Sequence, residues 1–206
     1  MSRKTRQARR PESDGVSPVR ARRVRQCDGR SLKQVVSAAA QWLRSHSGVV
    51  NALNVFPVPD GDTGTNMSLT MAAALSEIER TPADSVSAVA RALAHGGLMG
   101  ARGNSGVILS QILRGFAHAM DGKESFSACD LADAAQEAYD TALRGVIKPV
   151  EGTILTVMRA TAASLRASCA ETDDLATVLA RAVAAAHETN QRTPEMLPVL
   201  KEAGVV

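Results

Sequence analysis

Apolar residues recur every three to four positions from Ser31 to the end of the chain, with alanine filling many of the places between them. That period puts one apolar stripe on each of a series of helices. Ser31 reads as the first N-cap, with Leu32, Val35, Val36, Ala39, Trp42 and Leu43 on one face and Gly48 closing the segment. A second helix is predicted over residues 66–80, stopped by Thr81-Pro82. Asp84 or Ser85 caps a third, which carries Val86, Val89, Ala90 and Leu93 inward as far as Gly96-Gly97. Further helices are predicted over residues 105–120, 128–144, 153–170 and 173–189, with Pro194 opening a short eighth. No alternating run between turn signals asks to be a strand. The expected fold class is all-α, with about eight helices.

Composition fits that reading. A chain of 206 residues, 45% hydrophobic, can bury one domain, and 2% aromatics favours close-packed alanine-rich helices over sheets. No stretch approaches the ~20 apolar residues of a membrane span. Charge is uneven: residues 1–30 hold 10 Arg/Lys and 3 Asp/Glu, and the remainder holds 14 and 18. Residues 1–26 are therefore expected to be a disordered basic arm, and residues 27–206 the domain. The arm lacks both the amphipathic face of a transit peptide and the apolar core of a secretory signal. A non-specific nucleic-acid contact and a mis-chosen upstream start both fit it, and no specific nucleic-acid partner is expected. Cys27, Cys129 and Cys169 have no metal-ligand spacing and read as free thiols of a reducing cytoplasm. His46, His95, His118 and His187 are scattered and read as surface or packing residues.

Candidate chemistry gathers in two glycine-containing segments. In Phe56-Pro-Val-Pro-Asp-Gly-Asp-Thr-Gly-Thr-Asn66, Asp60 and Asp62 flank a glycine on bent backbone, just before a helix start. Two carboxylates so placed can aim at one hard cation such as Mg²⁺, which keeps waters and takes phosphate oxygens. The helix start offers free N–H groups to anions. The plainer reading is turn chemistry with a capping Asp or Thr. A calcium EF-hand is excluded, because Thr65 stands where glycine is required and Met71 where a bidentate Glu is required. Residues 96–106 hold five glycines, with Arg102 in the loop and Asn104 and Ser105 at the next helix start. So many glycines suggest close backbone approach to a ligand, although tight helix packing explains some. Neither segment is a Walker loop.

With both segments in view, the chain resembles the nucleotide-binding, Mg-dependent domain shared by the ADP-carrying (DhaL) subunit of dihydroxyacetone kinase and the N-terminal domain of bacterial fatty acid kinase, the second more closely. The matching stretches are residues 54–67, 100–111, 148–157 and 192–206, in order. The resemblance implies an eight-helix antiparallel barrel with ATP or ADP at one mouth. It makes Asp60 and Asp62 the Mg²⁺ ligands, with Asn54 as a weaker, neutral ligand near the place of a third family aspartate. It puts Thr63, Gly64, Thr65, Asn66, Gly103, Asn104, Ser105 and Gly106 at the phosphates, Gly152, Thr153 and Leu155 around the base, and Arg192 near the nucleotide end. In the family an Asp-Ala-Gly-Gly-like loop follows the Gly-Val-Val stretch and closes the site. This chain stops at Val206, so the resemblance implies an incomplete C-terminal end.

The activity so implied is phosphoryl transfer from ATP to a fatty acid held by a fatty-acid-carrying protein partner, giving an acyl phosphate. Nothing in the chain looks like a general base, and a carboxylate acceptor needs none. A dihydroxyacetone kinase-type subunit and a non-catalytic nucleotide-binding module remain as alternatives. So do a helical scaffold with a nucleic-acid-touching arm and a homodimeric state.

Overall fold

The computed structural model describes residues 23–205, so the expected disordered arm lies mainly outside the described residues. Eight helices follow one another: α1 (Gly29–Ala52), α2 (Thr63–Arg80), α3 (Val86–Met99), α4 (Gly103–Ala119), α5 (Ala128–Arg144), α6 (Ile154–Cys169), α7 (Leu175–Met196) and α8 (Pro198–Glu202). Each packs on the next in sequence, as short connections between helices dictate. The all-α reading holds, with one addition. Two-residue strands β1 (Cys27–Asp28) and β2 (Ser125–Phe126) pair antiparallel, Cys27 opposite Phe126. A ladder so short leaves no alternating pattern to read.

The core is built mostly from small and branched residues. Ala74, Val86, Val89, Ala90, Met120, Ala132, Ala134 and Val178 are fully enclosed. Glycines set the helix spacing: a Cβ on Gly96 would lie 2.7 Å from the Ala73 carbonyl oxygen, and one on Gly115 would lie 2.6 Å from the Ala138 Cα. In α1 the buried face is Leu32 and Ala40, with Val36 and Leu43 packed beside them. Val35, Ala39 and Trp42, expected inward, are exposed instead, Trp42 by 70%. The reason is the neighbours. α1 packs on α2 and α3 and has no substantial contact with α7 or α8, so one of its apolar flanks is uncovered.

Helix ends moved from their predicted places for identifiable reasons. Asp28, not Ser31, caps α1, accepting from the Ser31 N–H at 2.8 Å, and α1 runs through Gly48. Asp174, not Asp173, caps α7, and that helix continues through Pro194 to Met196. Residues 24–26, assigned to the arm, are docked: Val24 exchanges hydrogen bonds with Asp174 and Leu175, and Gln26 accepts from the Ser125 hydroxyl at 2.7 Å. The free-thiol expectation fails for two cysteines, because Cys129 at the start of α5 and Cys169 at the end of α6 form a disulfide. Only Cys27 is a free, buried thiol. The cysteine argument for a reducing compartment therefore falls away. No helix among the described residues is long and apolar enough to cross a membrane.

Candidate functional site

The ends of the helices are treated differently. α1, α3, α5 and α7 all begin under a side-chain cap: Asp28, Ser85, Ser127 and Asp174 each accept from an N–H of the first turn. The Ser31 N–H and the Thr177 hydroxyl hold the carboxyls of Asp28 and Asp174 below their usual range. α2 and α4 begin with no such cap. Consecutive antiparallel helices place these two bare starts at the same end, opposite the capped ones.

The two bare starts meet. Ser105 Oγ donates to the Thr63 carbonyl at 3.4 Å, joining the first turns of α4 and α2. Below them Thr70, wholly buried, donates to the Asn66 carbonyl at 2.8 Å and accepts from the Arg102 N–H at 3.2 Å. The glycines allow this approach. A Cβ on Gly103 would strike the Asn66 amide, and one on Gly106 would strike Thr70 Oγ1. Gly96, Gly97 and Gly100 are likewise packed against Ala73, Leu113 and Ala73 in turn. All five glycines of the second cluster thus face protein, so helix packing accounts for them without a ligand.

Each expected site residue has a definite place. Asp62 sits at the N-cap position of α2, yet its carboxyl caps nothing; Asp60, two residues earlier, is exposed. The turn reading of the Asp-Gly-Asp segment supplies shape, with Gly61 at φ 68°, but gives neither carboxylate a structural task. Asn54 does have one. Its amide nitrogen donates to the Val58 carbonyl at 2.6 Å and its oxygen accepts from the Thr63 hydroxyl, so it braces the loop from within. Thr65 is held twice by Asn51, which accepts from its N–H at 3.1 Å and donates to its hydroxyl at 2.9 Å. The N–H groups of Thr63, Gly103, Asn104 and Ser105 have no acceptor among the described residues. These backbone donors and the proton of the Thr65 hydroxyl, which only accepts from Asn51, are available to an anion, whereas the Thr63 hydroxyl donates to Asn54.

The second expected group stands apart. Gly152, at φ 82°, packs against the α7–α8 junction, where a Cβ would lie 2.9 Å from the Thr193 carbonyl oxygen. Its N–H and that of Thr153 both donate to Thr156 Oγ1, at 2.9 and 3.4 Å. Leu155 is buried and Arg192 is exposed on α7. No hydrogen bond among the described residues joins this group to Asp60, Asp62 or the α4 start.

Reading from sequence missed Asn51 and Thr70, the two side chains that fix the geometry. Thr70 offered a signal, as a hydroxyl one turn after Asn66 on an otherwise apolar stretch. Asn51 offered none beyond lying near a helix end. Whether the residues suit a divalent cation is a question of donors. No group of three or more His, Cys, Asp or Glu placed to hold a metal ion exists among the described residues. Two unengaged carboxylates fit a cation whose other ligands are water and phosphate, and do not fit a cage made of protein alone.

The architecture gives the class first: an all-helical domain of DhaL-like fold. The chain belongs to the DAK2 domain family, its residues 57–206 matching that domain. The family is related to subunits of dihydroxyacetone kinase and fatty acid kinase, and its domains bind ADP or ATP in those kinases. The chain is 46% identical to protein YloV of Bacillus subtilis over 89% of its own length and 33% of the relative's. It is 43% identical to uncharacterized proteins of Staphylococcus saprophyticus (SSP1546) and Staphylococcus haemolyticus (SH1689), with the same coverage. The chain thus spans about a third of the length of these curated relatives.

Proposed function

We propose that the joined starts of α2 and α4 form an ATP–Mg²⁺ site, and that the chain is the nucleotide-binding part of a fatty acid kinase. The observation that carries this reading is the bare pair of helix starts, tied by Ser105 and Thr63, beside two carboxylates that have no partner among the described residues. Backbone donors at Thr63, Gly103, Asn104 and Ser105 would hold the nucleotide's phosphates, and Asp60 and Asp62 would hold the cation. When bound, the cation supplies charge neutralisation across the phosphates. Gly152, Thr153, Leu155 and Arg192 are assigned to the base and its surroundings through the family resemblance.

In the proposed reaction a fatty acid carboxylate oxygen attacks the γ-phosphorus. The bond from that phosphorus to the bridging oxygen breaks, and ADP leaves with the electron pair. An acyl phosphate forms with no proton to remove, so the step asks for no general base. This chain's own contribution is alignment and donor placement. The acceptor arrives on a fatty-acid-carrying protein, in a cytoplasmic setting, and the kinase subunit works alone or as a homodimer.

Calorimetric titration with ATP, with and without Mg²⁺, tests the site. Turnover with a fatty acid and its carrier protein then tests the reaction. ATP binding that ignores both Mg²⁺ and substitution of Asp62 would overturn the assignment.

A further inference from the structure

A groove of about 640 Å³ opens between α3, α4 and α5, away from the paired helix starts. Arg114 lies eleven residues along α4 from Gly103, about 16 Å at the helical rise. Arg114 and His118 are four residues apart and share one face of α4; Glu137, Thr141 and Arg144 share the facing side of α5. Gly115 lets the two helices close up beneath them, since a Cβ there would lie 2.6 Å from the Ala138 Cα. Arg91 enters from α3.

The charges in this groove do not cancel. One oxygen of Glu137, Oε1, gathers three partners, accepting from Thr141 Oγ1 at 3.0 Å and Arg144 Nη2 at 3.0 Å, with His118 Nδ1 at 3.3 Å. Asp121 accepts from Ser87 Oγ at 3.2 Å and stands 3.9 Å from Arg91 Nε, too far for a good hydrogen bond. Arg114 forms no ion pair among the described residues. Three guanidiniums therefore answer to two carboxylates, on a domain whose residues 31–206 carry more acidic than basic side chains. Its volume falls in the range of small-molecule sites.

We propose that this groove is a second anion site, which binds a small molecule through a phosphate-type oxyanion anchored on Arg114 and flanked by Arg91 and Arg144. Guanidinium forks recognise such oxygens in pairs. Donors arriving from three helices suit a tetrahedral group, whose oxygens point apart, better than a planar carboxylate, which is met along one edge. The same chemistry is offered by inorganic phosphate and by a phosphate monoester, and a groove of about 640 Å³ has room for the ester.

The test follows the arginine Nε–Hε signals by NMR while the whole chain is titrated with inorganic phosphate, and separately with phenyl phosphate, at constant ionic strength. The Arg91, Arg114 and Arg144 signals should shift saturably, with phenyl phosphate binding at least as tightly as inorganic phosphate. Arg114→Gln should weaken binding about tenfold, Arg91→Gln should act in the same direction, and Asp60→Asn should leave it unchanged. All three side chains are exposed, so these variants keep the fold. Equal affinity in Arg114→Gln, or shifts confined to the backbone amides at residues 63–66 and 103–106, would overturn the proposal.

Discussion

The Thr70 hydroxyl accepts from the Arg102 N–H at 3.2 Å, joining residues 32 positions apart from within the core. It fixes how far the start of α4 stands from the first turn of α2. Thr70→Val keeps the shape but strands the Arg102 N–H and frees the Asn66 carbonyl. Loss of a buried partner costs about 1–3 kcal/mol, so the denaturant midpoint should fall accordingly and ATP affinity with it. Thr70→Ser should recover most of both. An unchanged midpoint in Thr70→Val would remove the hydroxyl as the tie between the loops.

Asp60 and Asp62 have no structural partner among the described residues, so their loss should be felt only by the ligand. Asp60→Asn or Asp62→Asn should lower Mg-dependent ATP affinity by at least tenfold and leave the melting temperature within about a degree, as expected for surface changes worth under ~0.5 kcal/mol. Asn54→Ala should do the reverse and destabilise the loop, because Asn54 braces Thr63 and Val58. Calorimetry paired with thermal melts separates the two patterns. Unfolding of either aspartate variant would make these carboxylates structural.

The Cys129–Cys169 disulfide closes a loop of 40 residues between α5 and α6. Restricting the unfolded chain over that length stabilises by about 2–4 kcal/mol. Cys129→Ser with Cys169→Ser, or reduction, should lower stability by that order in matched denaturation curves. Cys27 should stay slow toward thiol reagents in the native protein, because burial and then the nearby Asp28 charge push its thiol up to about 11. Two fast-reacting thiols in the untreated native protein would contradict the bridge.

Acid should find Asp130. Burial works against its ionisation, but hydrogen bonds from Lys123, at 2.7 Å, and from Ser127 outweigh it and hold the carboxyl at about 2. A depressed folded-state value means that the unfolded chain takes up the proton first. This stabilisation is complete above about pH 4 and is lost as pH falls toward 2. It is of order 1–2 kcal/mol, and Asp130→Asn should flatten the stability profile in that window alone. A profile of equal slope in the variant would place the acid sensitivity elsewhere.

Periodicity made the helices legible because each buries one stripe, and α3 shows it: Val86, Val89, Ala90 and Leu93 are all enclosed as expected. α1 shows the limit. Its sequence carries two adjoining apolar stripes, and only the packing partners decide that Leu32 and Val36 turn inward while Val35 and Trp42 do not. The cap readings at Ser31 and Asp173 failed because Asp28 and Asp174 stand nearby with the same capping chemistry, and only the backbone path decides which carboxyl or hydroxyl reaches a first-turn N–H. The loop residues were legible as a bent approach to a helix start, with Gly61 at φ 68° and α2 beginning at Thr63. Their assembly was not. It rests on Asn51 and Thr70, whose partners lie 14 and 32 residues away.

The alternation of capped and bare helix starts gives the molecule a graded rigidity. At one end the caps of α1, α3, α5 and α7, the β1–β2 pair and the docked Val24 lock every first turn. At the other, the first turns of α2 and α4 hold amides whose protection depends on what settles there. Amide exchange should therefore run slow at one pole and fast at the other in the ligand-free chain. Adding ATP and Mg²⁺ should slow the fast pole at Thr63, Asn104 and Ser105 and leave the slow pole as it was. The domain would then act as an anchored comb, its fixed ends setting the spacing at which its free ends close.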